Sequence, residues 1–352
     1  MNRVLIAFAT TVLIFIGSAS ATRAETPLQI YFIDVEGGQA TLIVSPSGQS
    51  LLIDTGWSDF NGRDANRIVA AAKTAGVGQL DYVLITHYHR DHVGGVPQLA
   101  DRIKIGTFVD HGPNLEDSDV TREDFAAYEK VAAGHKRLTA KAGDRLPIKG
   151  IDVRVLTAAG EHIKKHLPGA GQPNPACASE PKPPADTTEN ARSLGVLITY
   201  GKFRFLDLGD LTKDKELELA CPNNMIGKVD LFLVTHHGFN QSNAKALVAA
   251  IHPQAAIMNN GAHKGASPDA WQIVHDVVGA NRLWQLHYAV DGGPEHNVDE
   301  KFIANPDEKN DGGYPIKTEA FHNGEFSIVN ARKNVQWHYN VEVNIESSSR
   351  RQ

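Results

Sequence analysis

The chain has 352 residues, 41% hydrophobic and 22% charged, with 35 basic and 41 acidic side chains. These proportions exclude a collagenous chain, a coiled coil, a disordered tail and a disulfide-dense mini-protein, and the length allows a sizeable core. Histidine is the outlier, with 16 residues against 2 cysteines, and its neutral imidazole is a common metal ligand.

Residues 1–24 read as a secretory signal peptide. Arg3 precedes an apolar run, Val4 to Ile16, interrupted only by Thr10 and Thr11, and Ala19-Ser20-Ala21 offers a cleavage pattern. That run is too short to span a bilayer comfortably. Its removal takes away Arg3 and Arg23 and no acid, leaving residues 25–352 as one domain with a net charge of −8. The expected destination is periplasmic or secreted, with no transmembrane segment afterwards. There Cys177 and Cys221 either pair as a disulfide or remain two buried thiols; the sequence leaves both open.

Strand patterns open the chain at Leu28–Val35, Ala40–Val44 and Ser50–Asp54, joined at Gly37-Gly38 and Pro46-Ser47-Gly48. A helix is expected over Ala65–Ala75, then a buried strand at Tyr82–Thr86. Further strands are expected at Ile105–Val109, Ile151–Leu156, Leu194–Tyr200, Phe203–Leu208, Val229–Thr235, Ala255–Asn259 and Arg282–His287. Helices fall at Arg122–Gly134, Lys213–Ala220, Asn243–Ile251 and Asp269–Val278, with Ser242 and Ser267-Pro268 as start signals. Gly169–Thr188 and Asp291–Tyr314 read as long loops, and the tail Ala320–Val335 as a hairpin around Asn323-Gly324. Two such runs of strands and helices predict two sheets packed face to face with helices outside.

The decisive segment follows the strand YVLIT: Thr86-His87-Tyr88-His89-Arg90-Asp91-His92. His87 and His89 project to one side of a strand end, and a short helix from about Asp91 presents Asp91 and His92 beside them. Two other apolar strands also end in ligands, at Gly209-Asp210 and at His236-His237-Gly238. Together they form a two-metal arrangement: His87 and His89 hold one ion, Asp91, His92 and His236 the other, and Asp210 bridges. Two ions so placed can trap a hydroxide, with the pKa of the bound water lowered to about 7. The nitrogen and oxygen ligand set suits zinc.

HxHxDH, Asp54 in LLIDTG, the GD and the HHG resemble the metallo-β-lactamase superfamily. FIDVEGGQATLIV, LLIDTG, THYHRDHVGG and VTHHGFNQSN are most similar to the extracellular metallo-hydrolase domain of ComEC-type competence proteins. The resemblance covers the chain after residue 24. It implies an α/β fold, the four-layer αββα sandwich, with a binuclear zinc centre at the shared sheet edge. Asp54 then serves as a ligand or as a partner orienting one. Two departures bear on the site. Where most members carry a third imidazole on the first metal, this chain has Glu189-Asn190. Asn190 thus becomes a candidate ligand, which implies a weaker first site, a water-filled one, or a different metal, with Mn2+ the alternative to Zn2+. Relatives read DVGQGDA where this chain has Asp34-Val35-Glu36-Gly37-Gly38-Gln39-Ala40, so Gln39 replaces an acid. His111, His162 and His166 are the other imidazoles that could serve the first site in space, while His263 and His287 read as residues that orient a ligand or contact substrate, or as partly buried structural histidines.

No G-x-S-x-G, P-loop or G-x-G-x-x-G occurs. The expected function is a metal-dependent hydrolase using a metal-bound hydroxide, with Asp91 orienting the nucleophile and His237 contacting substrate or protonating the leaving group. The resemblance favours a phosphodiester, either nucleic acid or a phosphorylated envelope component. The net charge, with no dense basic tract, argues against a long polyanion. The alternatives are lactone, ester or β-lactam hydrolysis, and a non-catalytic binding protein that keeps the fold.

Overall fold

A computed structural model describes residues 25–309 and 312–340; the segment read as a signal peptide lies outside them. Two sheets organise the described chain. The first runs, from edge to edge, Val335–Tyr339, Phe326–Asn330, Ile316–Ala320, Leu28–Phe32, Thr41–Val44, Ser50–Ile53, Gln79–Leu84, Lys104–Asp110 and Lys136–Thr139. The second runs Ile303–Asn305, Leu283–His287, Ala255–Met258, Leu231–Leu233, Phe203–Asp207, Gly195–Tyr200, Asp152–Ala158 and Arg145–Leu146, with Glu161–His162 paired to Asp152–Ala158.

Side-chain alternation explains the layering. Leu28, Ile30, Phe32, Leu51 and Ile53 face the second sheet, whereas Tyr31, Ile33 and Leu52 face the helices on the other side. Phe32 meets Phe205 edge to face across the sheets at 5.7 Å. Outside the first sheet, Ala65, Ile68 and Ala72 of helix Arg63–Thr74 pack with Leu99 and Tyr128. Outside the second, Leu247 and Trp271 lie on helices Lys245–Ile251 and Pro268–Val278. The result is the αββα sandwich.

Parallel pairing places the chemistry. Ser50–Ile53, Gln79–Leu84, Lys104–Asp110 and Lys136–Thr139 are parallel, as are Phe203–Asp207, Leu231–Leu233, Ala255–Met258 and Leu283–His287. Parallel neighbours need crossovers, and helices such as Lys213–Ala220, Lys245–Ile251 and Pro268–Val278 supply them. Every such strand therefore ends at the same rim, where open α/β sheets bind ligands. Contacts between the sheets at that rim include Leu194 N to Thr86 O at 2.8 Å and Gln39 Nε2 to Asp207 Oδ2 at 2.9 Å.

Three expectations change. Asp291–Tyr314 is not all loop: Ile303–Asn305 is fully buried and pairs parallel with Leu283–His287, too short a run to register between polar flanks. Lys136–Thr139 is an edge strand whose four residues are all exposed, so no apolar alternation marks it. Gly169–Thr188 contains a turn of 3-10 helix at Pro175–Ser179 and is pinned by a Cys177–Cys221 disulfide. Asn174 Nδ2 also donates to Ala220 O and Ala246 O, at 3.1 and 2.9 Å. Among the described residues no helix is long and apolar enough to cross a membrane.

Candidate metal centre

The ligand segment leaves strand Gln79–Leu84, and His89 is the extended residue before the one-turn helix Arg90–Val93. His87 Nε2 and His89 Nδ1 approach to 3.2 Å. Across the rim, the chain after Leu231–Leu233 turns sharply: His236 and His237 sit at φ 56° and 53°, a left-handed conformation unusual for histidine. Asp54, at φ 60°, shares it. Such backbone clusters where side-chain placement overrides local preference.

Asp91, His92, Asp210 and His237 converge, each offering an atom within 4.8 Å of the others. His92 Nε2 lies 3.2 Å from His237 Nε2, and Asp91 Oδ2 lies 3.4 Å and 3.2 Å from these two nitrogens. Asp210 Oδ2 is 3.2 Å from His92, 3.4 Å from both His236 and His237, and 3.9 Å from His87. It stands between the His87/His89 pair and the second cluster, the place expected of a bridge.

His237 Nε2 lies within this cluster, and His236 Nε2 reaches Asp210 at the same 3.4 Å. Among the described residues, Asp210 is the carboxylate within ion-pair distance of His236, whose Nδ1 rests 3.2 Å from Ser242 Oγ. Either histidine satisfies the sequence pattern; the left-handed turn decides which imidazole enters the cluster. Glu189 is spent elsewhere, accepting from Leu115 N, Tyr88 N and His111 Nε2 at 2.9, 3.3 and 3.0 Å. His111 is thus tied to Glu189, while Asn190 keeps a buried Oδ1 with no hydrogen-bond partner. His162 pairs with Glu218 and the exposed His263 with Asp291 and Glu308, His166 approaches the Leu167 carbonyl at 3.4 Å, and His287 pairs with Asp34. None of them joins the cluster. The Gln39 side chain donates to Asp207, and its backbone N donates to Asp91 O at 3.1 Å.

Partners behind the ligands set their orientation. Asp54 Oδ2 takes His92 Nδ1 at 2.7 Å, Thr86 Oγ1 lies 3.0 Å from His87 Nδ1, and Glu116 Oε2 lies 3.0 Å from His89 Nε2. Each fixes one ring nitrogen and leaves the other facing inward. Sequence reading missed Glu116 and Lys264. Glu116 sits in a polar loop without pattern. Lys264 lies six residues beyond strand Ala255–Met258, outside the strand-end pattern that found the ligands.

The electrostatics favour a cation. Burial, with His92 and His89 nearby, holds His87 well below the usual histidine range, and burial lowers His236 to about 4. Burial opposes ionisation of Asp91 and Asp210. Lys264 and His92 outweigh it for Asp91, as His236, His237 and His92 do for Asp210, and both stay well below the carboxylate range. His92 goes the other way: burial disfavours its charge, yet Asp210, Asp91 and Asp54 raise its pKa well above normal. The carboxylates thus draw positive charge into a buried spot. Asp210 Oδ1, buried and without a hydrogen-bond partner, is an ionised oxygen with nothing to hold. Ionised Asp91 and Asp210, uncharged His87 and His236, the positive charge drawn to His92 and an orphaned carboxylate oxygen suit a divalent cation, and the residues present fit a metal centre.

Residues 33–174 match the metallo-beta-lactamase superfamily. The chain is 25% identical over 254 residues to ComE operon protein 3 of Bacillus subtilis, covering 66% of this chain and 28% of that protein. It is 25% identical over 264 residues to Recombination protein 2 of Haemophilus influenzae, covering 75% and 27%. The matched region thus spans just over a quarter of the length of these curated relatives. Among solved structures, CmlA, a diiron beta-hydroxylase from Streptomyces venezuelae, aligns with a TM-score of 0.39 and 15% identity over 72% of this chain and 47% of that one.

Proposed function

Because the chain carries a metallo-β-lactamase superfamily domain, we propose that it is an exported, metal-dependent hydrolase that cleaves phosphodiesters. The observation that carries the reading is Asp210, whose Oδ2 faces four imidazoles while its Oδ1 lies buried and unpartnered. His87 and His89, with Asn190 in place of a third imidazole, would hold one zinc ion. Asp91, His92 and His237 would hold the other, and Asp210 would be shared. Bound ions supply Lewis acidity and a nucleophile at neutral pH. Manganese is the alternative metal for the nitrogen-poor first position.

The remaining steps belong to the chain. Asp54, Thr86 and Glu116 hold the His92, His87 and His89 rings in register. His236, neutral near pH 7, is suited to hydrogen-bond the substrate and not to deliver a proton to it. A cavity of about 490 Å³ opens beside Asn190, Thr212 and Asn240, walled by the stretch Pro183 to Asp186, and would take the group attached to phosphorus. The Cys177–Cys221 bond supports an oxidising destination and hence export.

For the substrate class, support comes from relatives whose names refer to a competence operon and to recombination. The formal charge of −6 turns the reading from long nucleic acid towards a short diester. The test is one screen of bis(p-nitrophenyl) phosphate, a lactone and nitrocefin with zinc and with manganese, using His87→Ala and Asp210→Ala controls. Turnover of the diester alone, lost in both variants, is the expected result. Turnover that survives both substitutions, or turnover of the lactone alone, overturns the reading.

A further inference from the structure

We propose that Lys264 is the cation that grips the substrate, binding a non-bridging oxygen of the phosphodiester at the mouth of the centre; this rests on the hydrolase reading above. Lys264 Nζ lies 2.7 Å from Asp91 Oδ2 and 2.6 Å from Gly37 O. Among the described residues no other lysine or arginine is in ion-pair distance of Asp91 or Asp210. The side chain remains 27% exposed, so its ammonium joins a buried ligand cluster to solvent.

The position is built, not incidental. Nζ sits 5.5 Å from the ring centres of both Trp57 and Phe239, which flank the ammonium and shield it. The backbone beneath it admits only glycine. A Cβ on Gly37 would come within 2.9 Å of Lys264 Cβ and 2.8 Å of Gly261 N, and one on Gly265 within 2.2 Å of His237 O. The loop carrying Lys264 is therefore pressed between the Glu36–Gly38 loop and the His237 turn. Trp57 Nε1, beside Gly38, is a buried donor with no hydrogen-bond partner.

Charge balance gives the chemistry. Asp91 Oδ2 is also the atom addressed by His92 and His237, so the carboxylate belongs to the ligand cluster and the ammonium lies on its outer side. An ammonium whose counter-ion is committed elsewhere and whose stem is already ordered loses little on taking a second anionic oxygen. A singly charged diester offers one; a neutral ester does not.

The test compares Lys264→Met and Lys264→Arg with the unaltered, metal-loaded protein. Three quantities are read: metal per chain, the dissociation constant of inorganic phosphate by calorimetry, and KM against kcat for bis(p-nitrophenyl) phosphate and p-nitrophenyl acetate. Lys264→Met is expected to keep its metal, to weaken phosphate and raise KM for the diester roughly 10- to 100-fold more than for the neutral ester, and Lys264→Arg to restore much of the loss. Equal effects on both esters, or loss of metal in Lys264→Met, overturn the proposal by making Lys264 a structural partner of Asp91. If the unaltered protein turns over neither ester, the hydrolase reading fails. Phosphate binding then still decides for Lys264: weakened affinity in Lys264→Met supports it and unchanged affinity overturns it.

Discussion

Asp54 Oδ2 stands 2.7 Å from His92 Nδ1, with both side chains fully buried. The same carboxylate accepts Thr86 N at 2.8 Å and Thr86 Oγ1 at 2.7 Å. One acid at the end of Ser50–Ile53 thereby ties down the first residue of the ligand segment and its last histidine. The bond keeps a proton on His92 Nδ1 and turns Nε2 towards Asp91 and Asp210.

Removing that charge should weaken metal binding while leaving the fold. Asp54→Asn suits the test because asparagine tolerates the left-handed φ of 60° that Asp54 adopts. Metal affinity is expected to fall about 10- to 100-fold, measured by competition with a chromophoric chelator, with an unchanged circular dichroism spectrum. An affinity equal to that of the parent would mean that Asp54 serves Thr86 alone.

The adjacent histidines make opposite predictions. His237→Asn should release about one metal ion per chain, since His237 Nε2 lies in the Asp91/His92/Asp210 cluster. His236→Asn should retain both ions and lose turnover. Asparagine again removes backbone strain as a confounder at φ 53° and 56°. Elemental analysis of the two purified variants separates them, and metal loss from His236→Asn alone would restore the assignment expected from sequence.

The His236/His237 pair shows where sequence reading ends. The ligand-bearing strand ends were legible because an apolar run stopping at His, Asp or His-His is a local pattern, and most strands lie within a few residues of their expected positions. The choice between His236 and His237 depends on two left-handed residues that no pattern announces. Asn190 against Glu189 was undecidable for a related reason: Glu189 is consumed by Leu115 N, Tyr88 N and His111, which are remote in sequence. Lys264 and Glu116 reach the centre only through tertiary packing. Gln39, which replaces an acid of the resembling motif, has its side chain on Asp207.

The Cys177–Cys221 bond closes a loop of sequence separation 44. Loop-closure entropy for that length gives a ceiling of about 4 kcal/mol, and native strain usually trims it to roughly 2–4 kcal/mol. Cys177→Ser/Cys221→Ser should lose that much in urea unfolding, and the parent protein in reductant should match it. Because the same segment leads into the wall of the cavity beside Asn190, KM for the diester should rise as well. Stability unaffected by reduction would show that Asn174 and its two carbonyl partners hold the segment unaided.

Glu216 makes stability depend on pH. Its carboxylate is buried and accepts Asn243 N at 2.9 Å and Ala244 N at 2.7 Å, where the chain enters helix Lys245–Ile251. Burial pushes its pKa up from the ordinary 4.5 to about 7. The native state therefore holds a proton that the unfolded chain has released, so between those values the native form binds more protons and stability falls as pH rises. The contribution is complete below about 4.5 and is lost on passing through about 7, a difference on the order of 3 kcal/mol. Glu216→Gln cannot titrate and should flatten this part of the curve, whatever it costs at a single pH by facing one N–H with an amide NH2. Urea unfolding of both proteins without metal, between pH 5 and 8, reads the slopes directly; parallel curves would place the titration in another group.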